Sequence, residues 1–560
     1  MGSRILFSDA DLVIGDGDRI GLVGPNGCGK TTLLRTLMGE AEPERGEIMC
    51  WRGLRPAYLQ QLVAAADQEM TVQDFVRRSL PAEESEYQAH RVDLTLDEMG
   101  FPPSLRAHRL GQLSGGWQRL AQLAAIWVAD PNLLLLDEPT NFLDIEKVLQ
   151  FEAWLRDTVT CPVLIISHDR ELLDACTNRT LVIHDGALQS ISHPFSEAMA
   201  IVQERIIAEQ KARDSQEKEI RRLTFTYKRL QHWGHTFNVK KLSRRAKSIA
   251  KRVDRMSDEL PRAAAADKRR IALQGGGVSS DYLVKVSDYD VSAPDGRVLF
   301  HIDTLMLHPG DRMVILGRNG IGKTTLIRLL DRWLAERDGP GQDRRVSLSP
   351  QARPAYFDQD LEALPARQSP LAYLETKFGG NRTGLISAMV RIGIPYDKVD
   401  HPIATLSGGQ RSRLLLLAMQ MRDPNLYLLD EPTNHIDIQG MEQLEYELVS
   451  RDLTAVIVSH DRRFIAEVGT RFLMIADGRL SEIDDPQSFY DGLAQAPEPT
   501  SEPAGRKAKT RVKSPAVADC EAVLAEILDL EARHPQSQAR PEAVRRRLAA
   551  LYSLLSPSNG

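Results

Sequence analysis

Several short stretches of the chain are apolar at nearly every position. Arg19-Ile20-Gly21-Leu22-Val23, the four leucines before Asp137, Val163-Leu164-Ile165-Ile166, Met313-Val314-Ile315-Leu316, the similar run before Asp430 and Ala455-Val456-Ile457-Val458 show no polar alternation. Runs of that kind predict parallel strands buried on both faces. The rhythm changes between them. Apolar residues fall at Ile220, Leu223, Tyr227 and Leu230, then at Leu242, Ala246, Ile249, Val253, Met256 and Leu260. Steps of three and four make a heptad seam, broken over Gln231–Asn238 by Gly234 and two aromatics. The pattern predicts two long antiparallel helices with this break as their tip. The first runs from about Ser196 to Leu230 and reaches roughly 50 Å at 1.5 Å per residue.

The strands carry motifs that occur twice. Gly24-Pro25-Asn26-Gly27-Cys28-Gly29-Lys30-Thr31 returns 293 residues on as Gly317-Arg318-Asn319-Gly320-Ile321-Gly322-Lys323-Thr324. Leu113-Ser114-Gly115-Gly116 returns as Leu406-Ser407-Gly408-Gly409, and Asp137-Glu138-Pro139-Thr140-Asn141 as Asp430-Glu431-Pro432-Thr433-Asn434, at the same offset. Ser167-His168-Asp169 returns 292 residues on as Ser459-His460-Asp461. Register held across four motifs marks a tandem duplication.

Each motif points to phosphate chemistry. A glycine-rich loop between a strand and a helix lets backbone N–H groups converge on phosphate oxygens, where the helix N-terminus adds its positive dipole. Lys30 and Lys323 would reach the β- and γ-phosphates, and Thr31 and Thr324 would hold Mg²⁺; Thr32 and Thr325 complete the two loops. An acidic pair at a strand end suits metal support by Asp137 and Asp430, and orientation of the attacking water by Glu138 and Glu431. His168 and His460, each after a further apolar run, are candidate γ-phosphate contacts.

Overall composition changes little. Lys+Arg 71 against Asp+Glu 77 gives −6 over 560 residues, and 42% hydrophobic with 26% charged residues fits a globular protein with sizeable cores. Five cysteines form no C-x-x-C pair, which argues against a disulfide framework, a zinc ribbon or an iron–sulfur cluster and fits a reducing compartment. No apolar stretch approaches bilayer length and no leader opens the chain, so a cytoplasmic location is expected. Locally the charge is extreme. Between Ile220 and Arg255 stand twelve bases and one acid, Asp254. A solvated helix normally mixes both signs, whereas a basic rod neutralises phosphates and releases counterions. Arg221, Arg222, Lys228, Arg229, Lys240, Lys241, Arg244, Arg245 and Lys247 are the expected RNA contacts, and Trp233, His235 and Phe237 could stack on unpaired bases.

Together these motifs resemble the ABC-F family, soluble tandem ATP-binding-cassette proteins that act on ribosomes. The likeness spans roughly residues 4–490. It implies an α/β fold of two P-loop cassettes, 1–195 and 281–492, joined by a helical hairpin at 196–275. A flexible basic linker (493–518) and a small helical tail (519–560) complete the chain. The cassettes would face head to tail around two ATP molecules. One site would join Lys30, Gln61, Asp137, Glu138 and His168 to Ser407, Gly408, Gly409 and Gln410. The other would join Lys323, Gln359, Asp430, Glu431 and His460 to Ser114, Gly115 and Gly116. Gln61 and Gln359 would sense Mg²⁺ and the γ-phosphate. The resemblance further implies an ATP hydrolase and a ribosomal partner (23S rRNA and P-site tRNA near the exit site), in a housekeeping or an antibiotic-protection role. The rival classes are a transporter subunit with separate membrane partners and a DNA-repair ATPase. A basic rod in place of a hydrophobic docking surface opposes the first, and the lack of zinc clusters or very long coiled coils opposes the second.

Three departures stand out. Trp117 replaces Gln410 after the first signature and is expected to pack. Cys28, in the first phosphate loop, reads as a small residue. Arg4-Ile5-Leu6-Phe7 matches Arg297-Val298-Leu299-Phe300, but only the second copy has a strand-like stretch before it, Asp281–Val291. Either the start codon is misassigned or the first copy lacks the strand that in relatives carries the adenine-stacking aromatic; Tyr289 is the nearby aromatic in the second.

Overall fold

Residues 6–8, 10–60, 64–80, 89–184, 186–236, 240–258, 271–273, 280–336, 343–359, 361–434 and 436–495 are described in a computed structural model, apart from the side chains of 89, 231–236, 240–243, 245, 246, 258, 494 and 495. The apolar runs become the centres of two sheets. The first orders its strands β2-β3-β4-β1-β5-β6. These are β1 (Arg19–Val23), β2 (Pro56–Leu59), β3 (Leu133–Asp137), β4 (Val163–Ile166), β5 (Arg179–His184) and β6 (Ala187–Ile191). All neighbours are parallel except the β5/β6 hairpin.

The second copy contains β7 (Val284–Ser292), β8 (Val298–Leu307), β9 (Arg312–Leu316), β10 (Val346–Leu348), β11 (Pro354–Phe357), β12 (Leu426–Asp430), β13 (Thr454–Val458), β14 (Arg471–Ala476) and β15 (Arg479–Ile483). Their order is β10-β7-β8-β15-β14-β9-β13-β12-β11. Six of the nine repeat the first sheet; β8 joins β15 in parallel, and β7 and β10 follow it in antiparallel pairing. The expected stretch 281–291 is thus β7, and no counterpart precedes β1 among the described residues. Ile48, Met49 and Trp51 of the first copy are correspondingly exposed.

β3 and β4 are buried along their whole length, as continuous apolar runs require. Each phosphate-loop strand turns into a helix, Lys30–Leu37 after β1 and Lys323–Ala335 after β9. The helices open at Gly29 (φ 107°) and Gly322 (φ 115°). A Cβ on Gly322 would also sit 2.9 Å from Leu299, so only glycine makes this turn.

The hairpin's helices are Phe195–Thr236 and Lys240–Asp258. The first is rooted by buried Phe195, Ala198 and Val202 and by Ser196, whose hydroxyl accepts from Arg463 of the second copy at 2.8 Å. Ile220, Leu223, Tyr227, Leu230, Ile249, Val253 and Met256 are half-buried, while Arg221, Arg222, Lys228, Arg229, Arg244 and Lys247 are exposed. The tip needs correction. The first helix passes Leu230 and Gly234 and ends at Thr236, because one interior glycine costs only about 1 kcal/mol and an established helix extends cooperatively. Trp233 and His235 are therefore helical positions, as are Lys240, Lys241 and Arg245 on the return; Phe237 lies outside the described residues. The last described helix, Pro486–Gln495, runs past the expected boundary at 492, and the tail at 519–560 is outside the described residues. No described helix is long and apolar enough to cross a membrane.

Candidate active sites

In the first site Lys30 Nζ donates to the carbonyl of Gly24 at 2.7 Å, which curls the phosphate loop around its side chain. Asp137 and Glu138 close β3 beside it, 1% and 7% exposed. Glu138 adopts φ 50°, a left-handed conformation that strains a side-chain-bearing residue by about 1–2 kcal/mol. Its N–H donates to the Ile166 carbonyl at 2.8 Å, and its carbonyl accepts from buried Arg119 at 2.8 Å. Arg119 also donates to the carbonyls of Asp137 (2.6 Å), Pro139 (3.3 Å) and Gln60. His168 lies with Nε2 3.3 Å from Glu138 Oε1, and its N–H donates to Oε2 at 3.3 Å. Burial drives the Glu138 carboxyl up to about 8 against the pull of Lys30. Burial, then Lys30, pushes the His168 imidazole down to about 3.

The second site repeats this plan. Lys323 Nζ donates to Gly317 O at 2.6 Å, Glu431 stands at φ 49°, and His460 Nε2 lies 3.3 Å from Glu431 Oε1. Burial lifts Asp430 to about 6 and lowers His460 to about 3. Burial also moves Glu431 up and Lys323 down, each opposed by the other's charge. Here Thr324 Oγ1 donates to Asp430 Oδ1 at 3.2 Å, whereas Asp137 Oδ2 accepts from Tyr58 at 3.4 Å.

Buried polar atoms without hydrogen-bond partners gather at both places: Asp137 Oδ1, His168 Nδ1, Asp430 Oδ2, Glu431 Oε1 and His460 Nδ1. Each such atom costs about 1–3 kcal/mol, so the pockets are built for a polar guest. Carboxylate oxygens for a hard cation beside a lysine and a glycine loop fit a magnesium-bound triphosphate.

Sequence reasoning missed residues that cross between the copies. The loop after β3 leads to Asp144, the N-cap of helix Ile145–Asp157; the loop after β12 leads to Asp437, the N-cap of helix Ile438–Ser450. Asp437 Oδ2 accepts from the N–H of Asn26 in the first phosphate loop at 3.2 Å. Asp144 lies close enough to Lys323 and His460 for its charge to oppose the downward shift that burial gives each. Glu146 pairs with Arg318 of the second loop at 3.2 Å. The only signal was that these aspartates recur at the 293-residue offset.

The signatures open helices Gly115–Trp127 and Gly408–Gln420. Gly116 is buried against the Phe142 carbonyl, where a Cβ would come within 3.0 Å. Trp117 packs edge-on to Phe101 at 5.1 Å with Lys147 4.6 Å above its ring. Gln410 instead forms a capping box with Ser407. Gln359 is exposed beyond β11, and Gln61 lies outside the described residues. Tyr289 is wedged edge-on against Trp333 at 5.0 Å with Arg345 4.8 Å above it.

Known proteins share this plan. The family profile described as "ABC transporter" matches residues 7–141 and again 300–434. The human "ATP-binding cassette sub-family F member 3" is 29% identical over 541 residues, covering 88% of this chain and 72% of its own. The Escherichia coli O157:H7 "Probable ATP-binding protein YbiT" is 29% identical over 545 residues, covering 88% and 97%. The two halves of this chain are ABC-type cassettes, and it resembles ABC-F proteins along most of its length. With two such cassettes it binds ATP and hydrolyses it. The solved complex of an archaeal ribosomal stalk protein with the archaeal ribosome recycling factor aABCE1 contains a chain of like fold. Its TM-score is 0.56 at 20% identity, over 86% of this chain and 89% of that one.

Proposed function

We propose that this ABC-F ATPase is a cytoplasmic translation factor whose ATP-bound, closed form binds the ribosome near the tRNA exit site. The hairpin would meet 23S rRNA and P-site tRNA. The observation that carries this reading is the hairpin's surface: among its described side chains the seam residues are half-buried, while Arg221, Arg222, Lys228, Arg229, Arg244 and Lys247 are exposed. Contacts of that sign are salt-dependent and neutralise phosphate. The structural neighbour is a ribosome recycling factor, which agrees with a ribosomal setting.

In each site the phosphate loop and Lys30 or Lys323 would hold the triphosphate. Thr31 and Asp137, or Thr324, Asp430 and Gln359, would hold Mg²⁺, which when bound neutralises phosphate charge. Glu138 and Glu431 would take the proton of the attacking water, and neutral His168 and His460 would turn Nδ1 to the γ-phosphate. Ser114–Gly116 and Ser407–Gln410 would close the opposite sites. Hydrolysis would open the cassettes and release the ribosome, because ATP controls binding only if the open and closed forms differ in affinity.

The test is sucrose-gradient sedimentation of Glu138→Gln/Glu431→Gln with ATP. The variant should lose turnover by about a hundredfold or more and co-sediment with 70S particles. Adding Arg221→Glu, Arg222→Glu, Lys228→Glu and Arg244→Glu should abolish co-sedimentation. If particle binding survives those reversals, the ribosomal reading fails.

A further inference from the structure

Two arginines beside the histidines are not used by this chemistry. Arg170 follows His168 by two residues and opens helix Arg170–Cys176, capped by Asp169. It is 2% exposed, yet its partner belongs to the other copy. Its guanidinium donates to both carboxylate oxygens of Glu445, through Nη1 to Oε2 at 3.2 Å and through Nη2 to Oε1. Arg462, two residues after His460, repeats the contact in reverse, with Nη2 donating to Glu152 Oε2 at 2.6 Å. Glu152 and Glu445 stand on helices Ile145–Asp157 and Ile438–Ser450, whose N-caps already face the opposite phosphate loops.

Each of these helices therefore touches one foreign site twice: at its phosphate loop, and about 9–12 Å further on at its histidine loop. Stability does not account for the second contact. A buried ion pair gains little over apolar residues of the same volume, because desolvation offsets most of the attraction. A fork seated on a carboxylate adds direction instead.

We infer that Arg170 and Arg462 are positioning residues for hydrolysis: each fixes its own copy's histidine loop by gripping a carboxylate of the other copy. His168 and His460 are then placed for the reaction only while the halves are closed. Separating the halves frees both loops at once. The inference rests on the γ-phosphate role proposed above for the histidines.

Steady-state ATP hydrolysis by the full chain tests it. Arg170→Lys keeps the charge and loses the fork, so kcat should fall about tenfold with KM within about twofold. Arg170→Glu should fall further, and Arg170→Glu/Glu445→Arg should recover at least to the lysine variant's level. The inference is overturned if Arg170→Lys keeps kcat within about twofold of wild type, or if the exchanged pair is no better than Arg170→Glu alone. Should Arg170→Glu not fold, Arg170→Lys and Arg462→Lys decide by the same kcat criterion. His168→Ala probes the underlying reading separately: unchanged turnover there removes the histidine's role, whatever the arginine variants do.

Discussion

In the first cassette the crossing aspartate, Asp144, is paired by Lys147 from its own helix, at 2.9 Å. In the second, Asp437 is paired by Arg413 from the signature helix, at 2.6 Å. Position 440, where Lys147 would recur, is a glycine whose added Cβ would lie 2.5 Å from Ile436. One cation beside the aspartate is kept while its source moves. The frame around Glu138 and Glu431 differs in the same manner. Arg119 binds four carbonyls in the first copy, and its counterpart Ser412 donates only to the Gly408 carbonyl, at 3.2 Å. The glutamate, histidine and lysine geometry nevertheless repeats within a few tenths of an ångström. Duplication preserved the reacting groups and let their supports drift, so each copy should break at different places.

The largest difference should come from the supports. Arg119→Met strands several buried carbonyls and should lower stability by about 4 kcal/mol, whereas Ser412→Ala should stay within about 1 kcal/mol. Denaturant unfolding of the two variants measures this, and equal losses would end the idea of divergent frames.

A smaller effect depends on pH. The Glu138 carboxyl is lifted from its ordinary 4.5 to about 8. A raised carboxyl favours the fold fully below its unfolded value, and that contribution is lost as pH rises through the folded one. The nucleotide-free Glu138→Gln variant should therefore melt close to wild type near pH 4.5 and increasingly above it up to pH 8. A Tm difference that ignores pH would contradict the burial of that group.

The smallest effect lies at the signatures. Gln410→Ala removes half of a capping box and should cost about 1 kcal/mol. Trp117→Gln trades ring contacts for the side chain that completes a box at Gln410 and should fall within about 1 kcal/mol of wild type. If the two losses match in sign and size, Trp117 serves its helix as Gln410 does.

What the sequence disclosed was local or periodic. Continuous apolar runs gave the strands, and the seam from Ile220 to Met256 gave the hairpin, because burial on two faces or one stripe writes itself into spacing. The acidic pairs and histidines lie together beside the phosphate-loop lysines in both copies. The helix through Gly234 was missed because a glycine reads as a stop unless the length of the flanking helix is weighed. Asp144, Asp437, Arg170 and Glu445 were invisible for another reason. Each is an ordinary surface-type residue until the other copy arrives, and no spacing rule connects positions 170 and 445.

The root of the hairpin gives the molecule its gearing. Ser196 takes a hydrogen bond from Arg463, the residue after Arg462, at the foot of a 42-residue helix. At 1.5 Å per residue that rod is about 63 Å long. A tilt of one degree at its foot therefore sweeps its far end through roughly 1 Å. Displacements too small to see in a nucleotide pocket become, out there, the width of an atom or more.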